Sequence, residues 1–245
     1  MGEIGKIIRR LLAPHRGPQP IDPVPAYDLW AATYDQTDNL LVDLDETLFS
    51  GLLRAVAIRG RTVLDVGCGT GRHWTKLLAA GPAALIGVDS SMRMLERLRE
   101  KYPAATTMLV DGHLLPDIPD QSQDVLVSTL ALAHFADVGD TLAEWSRVVR
   151  AGGDVVITDL HPEAVARGAC TFRHGNRTLA IRLHSRGLDA IVETAARHGL
   201  ELVRTEQRAM DRTVEGYFDS NNASEMFARL KGLPLIYGLH LKKGA

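Results

Sequence analysis

Five short runs of aliphatic and β-branched residues, set between amphipathic stretches, constrain this chain more than any other feature. They are Thr62-Val63-Leu64-Asp65-Val66, Ala84-Leu85-Ile86-Gly87-Val88, Met108-Leu109-Val110, Val125-Leu126-Val127 and Val155-Val156-Ile157-Thr158. Continuous apolar runs this short suit parallel strands covered by helices on both faces. Helical patterns lie between them. Trp74, Leu77 and Leu78 mark one, closed by Gly81-Pro82. Met94, Leu95 and Leu98 mark a second, with Ser90 or Ser91 as its cap. Leu142, Trp145, Val148 and Val149 mark a third, stopped at Gly152-Gly153. Such alternation predicts a doubly wound α/β sheet. A helix from Gly187 to His198 and strands at Glu201–Thr205 and Leu235–Leu241 extend it.

The 245 residues, 45% of them hydrophobic, suit one large α/β domain with a small appendage. A net charge of −2 argues against a general nucleic-acid binder, which needs a basic surplus. Cys68 and Cys170 are too few for a disulfide framework, so a reducing, cytoplasmic setting is expected. No run reaches the roughly 18 apolar residues of a membrane span, and charges interrupt the N-terminus too early for a signal peptide. Ile4, Ile7, Ile8, Leu11 and Leu12 follow helical spacing beside Lys6, Arg9 and Arg10. That helix can dock on its own domain or meet a membrane surface or partner. Pro14, Pro18, Pro20, Pro23 and Pro25 then read as an extended linker. Residues 1–26 are thus expected to form an appendage and residues 27–245 the domain. Residues 161–185 show no clear helix and follow a strand's C-terminal end, where such folds build substrate lids.

The first run flows into Gly67-Cys68-Gly69-Thr70-Gly71. Glycines there permit a tight turn and let a ligand approach the backbone, and the helix that follows offers unpaired N–H groups. A dinucleotide fingerprint wants its third glycine where Arg72 stands, and no lysine follows Gly71 as a phosphate loop requires. Asp89 ends the second run, where a carboxylate can accept from both ribose hydroxyls or cap the next helix. Asp111-Gly112 ends the third, where the acid can accept from an adenine amino group or simply close a turn.

With VLDVGCGTGRH, GVDSSMRML and DGHLLPDIPDQSQDVLVSTLALAHF on three successive strand ends, the chain resembles the class I S-adenosylmethionine-dependent methyltransferases, their small-molecule branch in particular. YDLWAATYD is similar to the segment that closes over that family's cofactor. The resemblance implies a Rossmann-like, mostly parallel seven-stranded sheet whose last strand is antiparallel. It implies S-adenosyl-L-methionine as cofactor, with Gly67, Cys68 and Gly69 passing its amino-acid end and Asp65 binding the ammonium or orienting the loop. Asp89 would hold the ribose, Ser90 and Met94 would border the adenine, and Asp111-Gly112 would flank its amino edge. Leu130 would lie near the ribose or methionine part. Tyr27 or Tyr34 would cover the ligand, within a mobile cover of residues 27–39.

His134 follows the fourth strand and His161 the fifth, so both are candidates to deprotonate or bind an acceptor. Either can equally be a satisfied structural histidine. The histidines show no short ligand spacing such as His-x-x-x-His, so no metal is expected. The fourth strand lacks the Asn/Asp-Pro-Pro-aromatic motif associated with nucleic-acid amino methylation. The expected activity is methyl transfer to an O, N or C nucleophile of a small organic molecule, with neither nucleic acid nor membrane as partner. Cyclisation or rearrangement on the same scaffold, and cofactor binding without turnover, are the alternative readings. The residues carry no signal for oligomeric state.

Overall fold

The computed structural model describes residues 18–36, 39–167, 170–215 and 224–245. The amphipathic pattern at Ile4–Leu12 lies outside the described residues. Strands β2 (Thr62–Val66), β3 (Ala84–Asp89), β4 (Thr106–Leu109), β5 (Gln123–Thr129) and β6 (Val149–Leu160) alternate with α3 (Trp74–Ala79), α4 (Met92–Lys101) and α5 (Val138–Val148). Strand β9 (Leu200–Ala209) follows α7 (Leu188–Arg197), and β10 (Pro234–Lys243) follows α8 (Ser224–Leu230). The sheet order is β4-β3-β2-β5-β6-β10-β9. The first five strands are parallel, and β10 runs antiparallel to both β6 and β9. The last strand of the chain therefore slots between its predecessors and supplies the expected antiparallel member.

Side-chain period makes the continuous runs necessary. Val63, Val125, Val127 and Val156 pack with Phe49, Trp74 and Leu77 on one face. Their immediate neighbours Leu64, Leu126, Val155 and Ile157 pack with Trp145, Leu142 and Leu239 on the other. Strands β2, β5 and β6 thus bury both faces, and their apolar runs serve two cores, while edge strand β4 stays partly exposed. The helices start where their caps dictate. Ser91 Oγ accepts from Met94 N (3.2 Å), and Asp137 Oδ1 accepts from Gly139 N (2.7 Å) and Asp140 N (3.0 Å). Helix α5 ends at Val148, and Gly152-Gly153 lie inside β6 instead of stopping the helix. Val149 already has extended dihedrals, so the chain turns straight into the strand.

Three sequence expectations need correction. The prolines before Tyr27 do not form an extended linker throughout. Pro20–Ile21 form strand β1, and Pro23–Trp30 form helix α1. Proline lacks an N–H, but the first helical turn has none to bond internally, so Pro23 fits at the start. The folded domain thus begins before residue 26. The 161–185 insertion also has regular structure: helix α6 (Pro162–Ala166) and a hairpin of β7 (Thr171–His174) and β8 (Arg177–Ile181). Finally, Leu40–Leu53 form helix α2, to which the sequence reading assigned no element; Asn39 caps it by accepting from Leu41 N at 3.0 Å.

These pieces make a cap. Strand β1 pairs in parallel with β8, which pairs with β7, giving a small sheet of order β1-β8-β7. Beneath it Ala26, Trp30, Phe172 and Ile181 form their own apolar cluster, with Tyr27, Tyr34 and Cys170 against it. Trp30 stacks on Phe172 at 5.0 Å between ring centroids. Among the described residues no helix is long and apolar enough to cross a membrane.

Because this cluster is separate from the two sheet cores, Phe172→Ala should loosen the cap alone. Removing a fully buried phenylalanine costs about 3–5 kcal/mol, applied here to one small unit. Hydrogen exchange should accelerate across residues 20–34 and 171–182 while β2, β5 and β6 keep their protection. Uniform acceleration through the sheet would show that the cap is no independent unit.

Candidate active site

A cavity of about 260 Å³ opens at the C-terminal edge of the parallel strands. It is floored by the ends of β2, β3, β4 and β5, where the strand order reverses direction. Ligands of doubly wound sheets bind at that crevice. Gly67, Gly69, Asp89, Ser90, Met94, Asp111, Gly112 and Leu130 all line it, and Tyr27, Tyr34 and His134 close it from above and beside.

The glycine loop is held from below. Gly67 N and Cys68 N both donate to Val88 O, at 2.8 and 3.1 Å. Gly67 has φ +71°, and a Cβ there would stand 2.5 Å from the Ala131 Cβ. Gly69 has φ +53°, with no atom within 4 Å of where its Cβ would point. Gly69 also lines the cavity, so its backbone is open to a ligand there. Asp89 joins the loop to the next helix: Oδ2 accepts from Gly69 N and Oδ1 from Ser91 N, each at 2.8 Å. Loss of solvent raises its pKa despite these donors.

Two expected cofactor residues do not line the cavity. Asp65 is buried and accepts from Trp74 Nε1 (2.9 Å), and burial lifts its carboxyl to about 6. It orients the loop's supporting helix and does not face the ligand space. Cys68 turns its side chain into the core beside Gly87. His161 needs the same correction. Its Nδ1 accepts from Glu163 N at 3.3 Å, capping α6, and it is absent from the described lining of the cavity.

His134 does reach the cavity. Nδ1 lies 3.2 Å from the Arg182 carbonyl, which can only accept, so in the neutral ring Nδ1 carries the hydrogen. Nε2 then accepts the Tyr27 hydroxyl at 2.8 Å. Burial lowers the His134 pKa to about 4 and raises that of Tyr27. Asp159 holds the turn that carries His134: Oδ2 accepts from Ala133 N and Oδ1 from Leu160 N, both at 2.6 Å. Burial pushes its carboxyl up to about 7.

The cover is fastened to the cofactor loops by polar ties that the sequence reading passes over. Ser91 Oγ donates to Asp28 Oδ1 (2.6 Å), and Thr70 Oγ1 donates to Asp35 Oδ1 (2.6 Å). Lys101 also meets Asp35, at 2.9 Å. The signal was present as a doubled Tyr-Asp pair, Tyr27-Asp28 and Tyr34-Asp35, each tyrosine facing the cavity and each aspartate anchoring it. Asp22, Pro23 and Val24 line the cavity as well, from the segment read as linker.

Residues 64–157 match the family model described as a methyltransferase domain. The malonyl-[acyl-carrier protein] O-methyltransferase of Yersinia pestis is 34% identical over 138 residues, 55% of this chain and 49% of that protein. The demethylmenaquinone methyltransferase of Tropheryma whipplei is 31% identical over 155 residues, 61% of this chain and 59% of that protein. The chain thus spans about half the length of these curated relatives. An S-adenosylmethionine-dependent methyltransferase structure from Mesorhizobium loti superposes with a TM-score of 0.61 at 21% identity, covering 78% of this chain and 95% of that one. Residues 64–157 are thus similar to a methyltransferase domain, and the fold is that of known S-adenosylmethionine-dependent methyltransferase structures. The cavity suits S-adenosylmethionine: Asp89 offers a carboxylate at a strand end, and no atom lies within 4 Å of where a Cβ would stand at Gly69 or Gly112.

The two loop glycines should fail differently. Gly69→Ala adds a left-handed alanine, costing about 1–2 kcal/mol, and sends its methyl into the ligand space. A folded protein with strongly weakened S-adenosylhomocysteine binding is expected by calorimetry. Gly67→Ala adds a clash with Ala131 and should lower the melting temperature more. Equal melting with unchanged affinity in both variants would contradict this loop geometry.

Proposed function

We propose that this protein transfers the methyl group of S-adenosyl-L-methionine to an O, N or C nucleophile of a small organic molecule. The carrying observation is one cavity that unites the Gly67–Gly69 turn, the Asp89 carboxylate and Asp111-Gly112 on three successive strand ends. The cofactor, when bound, supplies an activated methyl on a sulfonium. The chain's own residues must bind, align and exclude water, and alignment alone can supply about 7–11 kcal/mol in favourable cases. Asp89 holds the ribose. Ser90 and Met94 border the adenine, and Gly112 leaves room at its edge. Tyr27 and Tyr34 shut the cavity against solvent, and His134 stands beside it with a free-base nitrogen.

The acceptor shares the cavity with the cofactor, beneath the cover. The cavity mixes apolar Val66, Leu130, Ala131 and Phe135 with polar Thr129, Asp111 and His134. That lining supports a small organic acceptor over a polynucleotide, as does the net charge of −2. Two free cysteines support work in the reducing cytoplasm.

Calorimetric titration tests the reading. S-adenosylmethionine and S-adenosylhomocysteine should compete for one site, and nicotinamide dinucleotides should show no binding there. Incubation with extracts, followed by mass spectrometry, should then yield a product heavier by one methyl group. Preferential dinucleotide binding, or a product of unchanged mass, would defeat the proposal.

A further inference from the structure

We infer that Tyr27 and His134 form a proton relay that strengthens as the cofactor's positive charge disappears, and that the acceptor is one that sheds a proton on methylation, such as a hydroxyl. The inference rests on the methyl-transfer reading above and specifies the group that meets the acceptor's proton.

The geometry has three parts. Tyr27 and His134 line the same cavity as Gly67, Gly69 and Leu130. The Tyr27 hydroxyl lies 2.8 Å from His134 Nε2, and the rings meet edge to face at 5.2 Å. The far nitrogen of His134 is committed to the Arg182 carbonyl, so the imidazole presents a lone pair to Tyr27 and to nothing else it contacts. Cys170, Tyr34, Asp159 and Asp89 surround Tyr27, and His184 lies near His134. Neither Asp159 nor Asp89 touches the imidazole: their oxygens are engaged by backbone N–H groups.

In this relay the acceptor oxygen gives its proton to the Tyr27 oxygen while Tyr27 passes its own to His134 Nε2. The acceptor oxygen forms its bond to the methyl carbon, and the carbon–sulfur bond breaks with its electron pair left on sulfur. One positive charge is lost from sulfur and one appears on the imidazolium, so the cavity's net charge does not change. An imidazole sharing a buried cavity with a sulfonium is a poor base, because like charges disfavour its protonated form. It becomes a better one as that charge is consumed. A neutral amine attacks through its lone pair and sheds its proton only after the methyl is transferred, so the transfer step itself needs no base.

The test needs no identified acceptor. The full chain is saturated with S-adenosylmethionine or with S-adenosylhomocysteine, and the His134 ring nitrogens are followed by 15N NMR. At neutral pH, Nδ1 should be protonated and Nε2 bare in both complexes; the opposite tautomer overturns the relay. His134 should titrate at least about one pH unit lower beside the sulfonium than beside the thioether. Equal titration overturns the coupling. In Tyr27→Phe the titration should move up, since the lost hydroxyl bond favoured the neutral ring; no movement removes Tyr27. Because acid can unfold the chain, calorimetry at pH 5 in two buffers of different ionisation enthalpy gives a second readout. S-adenosylmethionine should release more protons on binding than S-adenosylhomocysteine, and the difference should vanish in His134→Gln. A difference that survives in that variant assigns the effect elsewhere and overturns the inference. If neither ligand binds, the methyl-transfer reading falls and the relay with it; normal binding with an unshifted histidine removes the relay alone.

Discussion

One carboxylate holds the site together. Asp89 bonds the glycine loop through Gly69 N and the start of α4 through Ser91 N, so a single side chain sets the gap between two strand ends. Its position is fixed in turn by the β2–β3 pairing that places Val66 beside Val88 and by the two loop amides that bond to Val88 O. Below the loop, Trp74 spans from Gly71 to Gly87 and is pinned through its indole to Asp65. A carboxylate with two backbone donors still has lone pairs to offer, and those are the ones a ribose can take. The cost of stripping water from Asp89 is visible in its raised pKa, which further donors from a ligand would relieve.

The cover is fastened by a second logic. Its inner face is aromatic, with Trp30 on Phe172 and Tyr34 edge-on to Trp30 at 4.8 Å. Its outer ties are ionic or charge-assisted: Asp28 to Ser91, Asp35 to Thr70 and Lys101, Asp22 to Arg182. The aromatic contacts give area without direction, and the ties give register. Two of them end on the loops that Asp89 connects, Ser91 directly and Thr70 one residue after Gly69. Any shift of the loop on ligand binding is therefore felt by the cover through groups one or two residues away.

Much of the sheet was legible because the signal is strictly local. An apolar run with both faces buried has a recognisable length and ends where glycine or aspartate must turn the chain. The glycine loop and the two downstream acids were legible for the same reason. What escaped was governed by tertiary partners. Pro23 and Pro25 look like linker residues until helix α1 has a cap sheet to lie against. The hairpin at 171–181 is weakly patterned, and it exists because β1 arrives beside it. Helix α2 carries Asp45, a buried acid that reads as surface until Arg72 and His73 meet it at 2.5 and 3.0 Å. Burial works against the Asp45 charge, and these partners outweigh it, holding the carboxyl down to about 2.

The two histidines show how one local argument covers two residues that the fold then places differently. Both follow a strand and both stand at the edge where ligands bind. Pro162 favours His161 as a residue presented by a rigid turn, yet a proline at the first helical position is also what creates a helix start. The residue before it becomes a cap, and its ring nitrogen is claimed by the Glu163 amide. His134 has no such neighbour. Its turn is held instead from a distance by Asp159, twenty-five residues along the chain (159 − 134), whose carboxylate takes the Ala133 amide. That leaves the imidazole free to be oriented by one carbonyl and to offer its other nitrogen to Tyr27. Whether a histidine at this edge lines the cavity or caps a helix thus depends on which backbone amides already have other partners, a property set by strands β5 and β6 lying side by side.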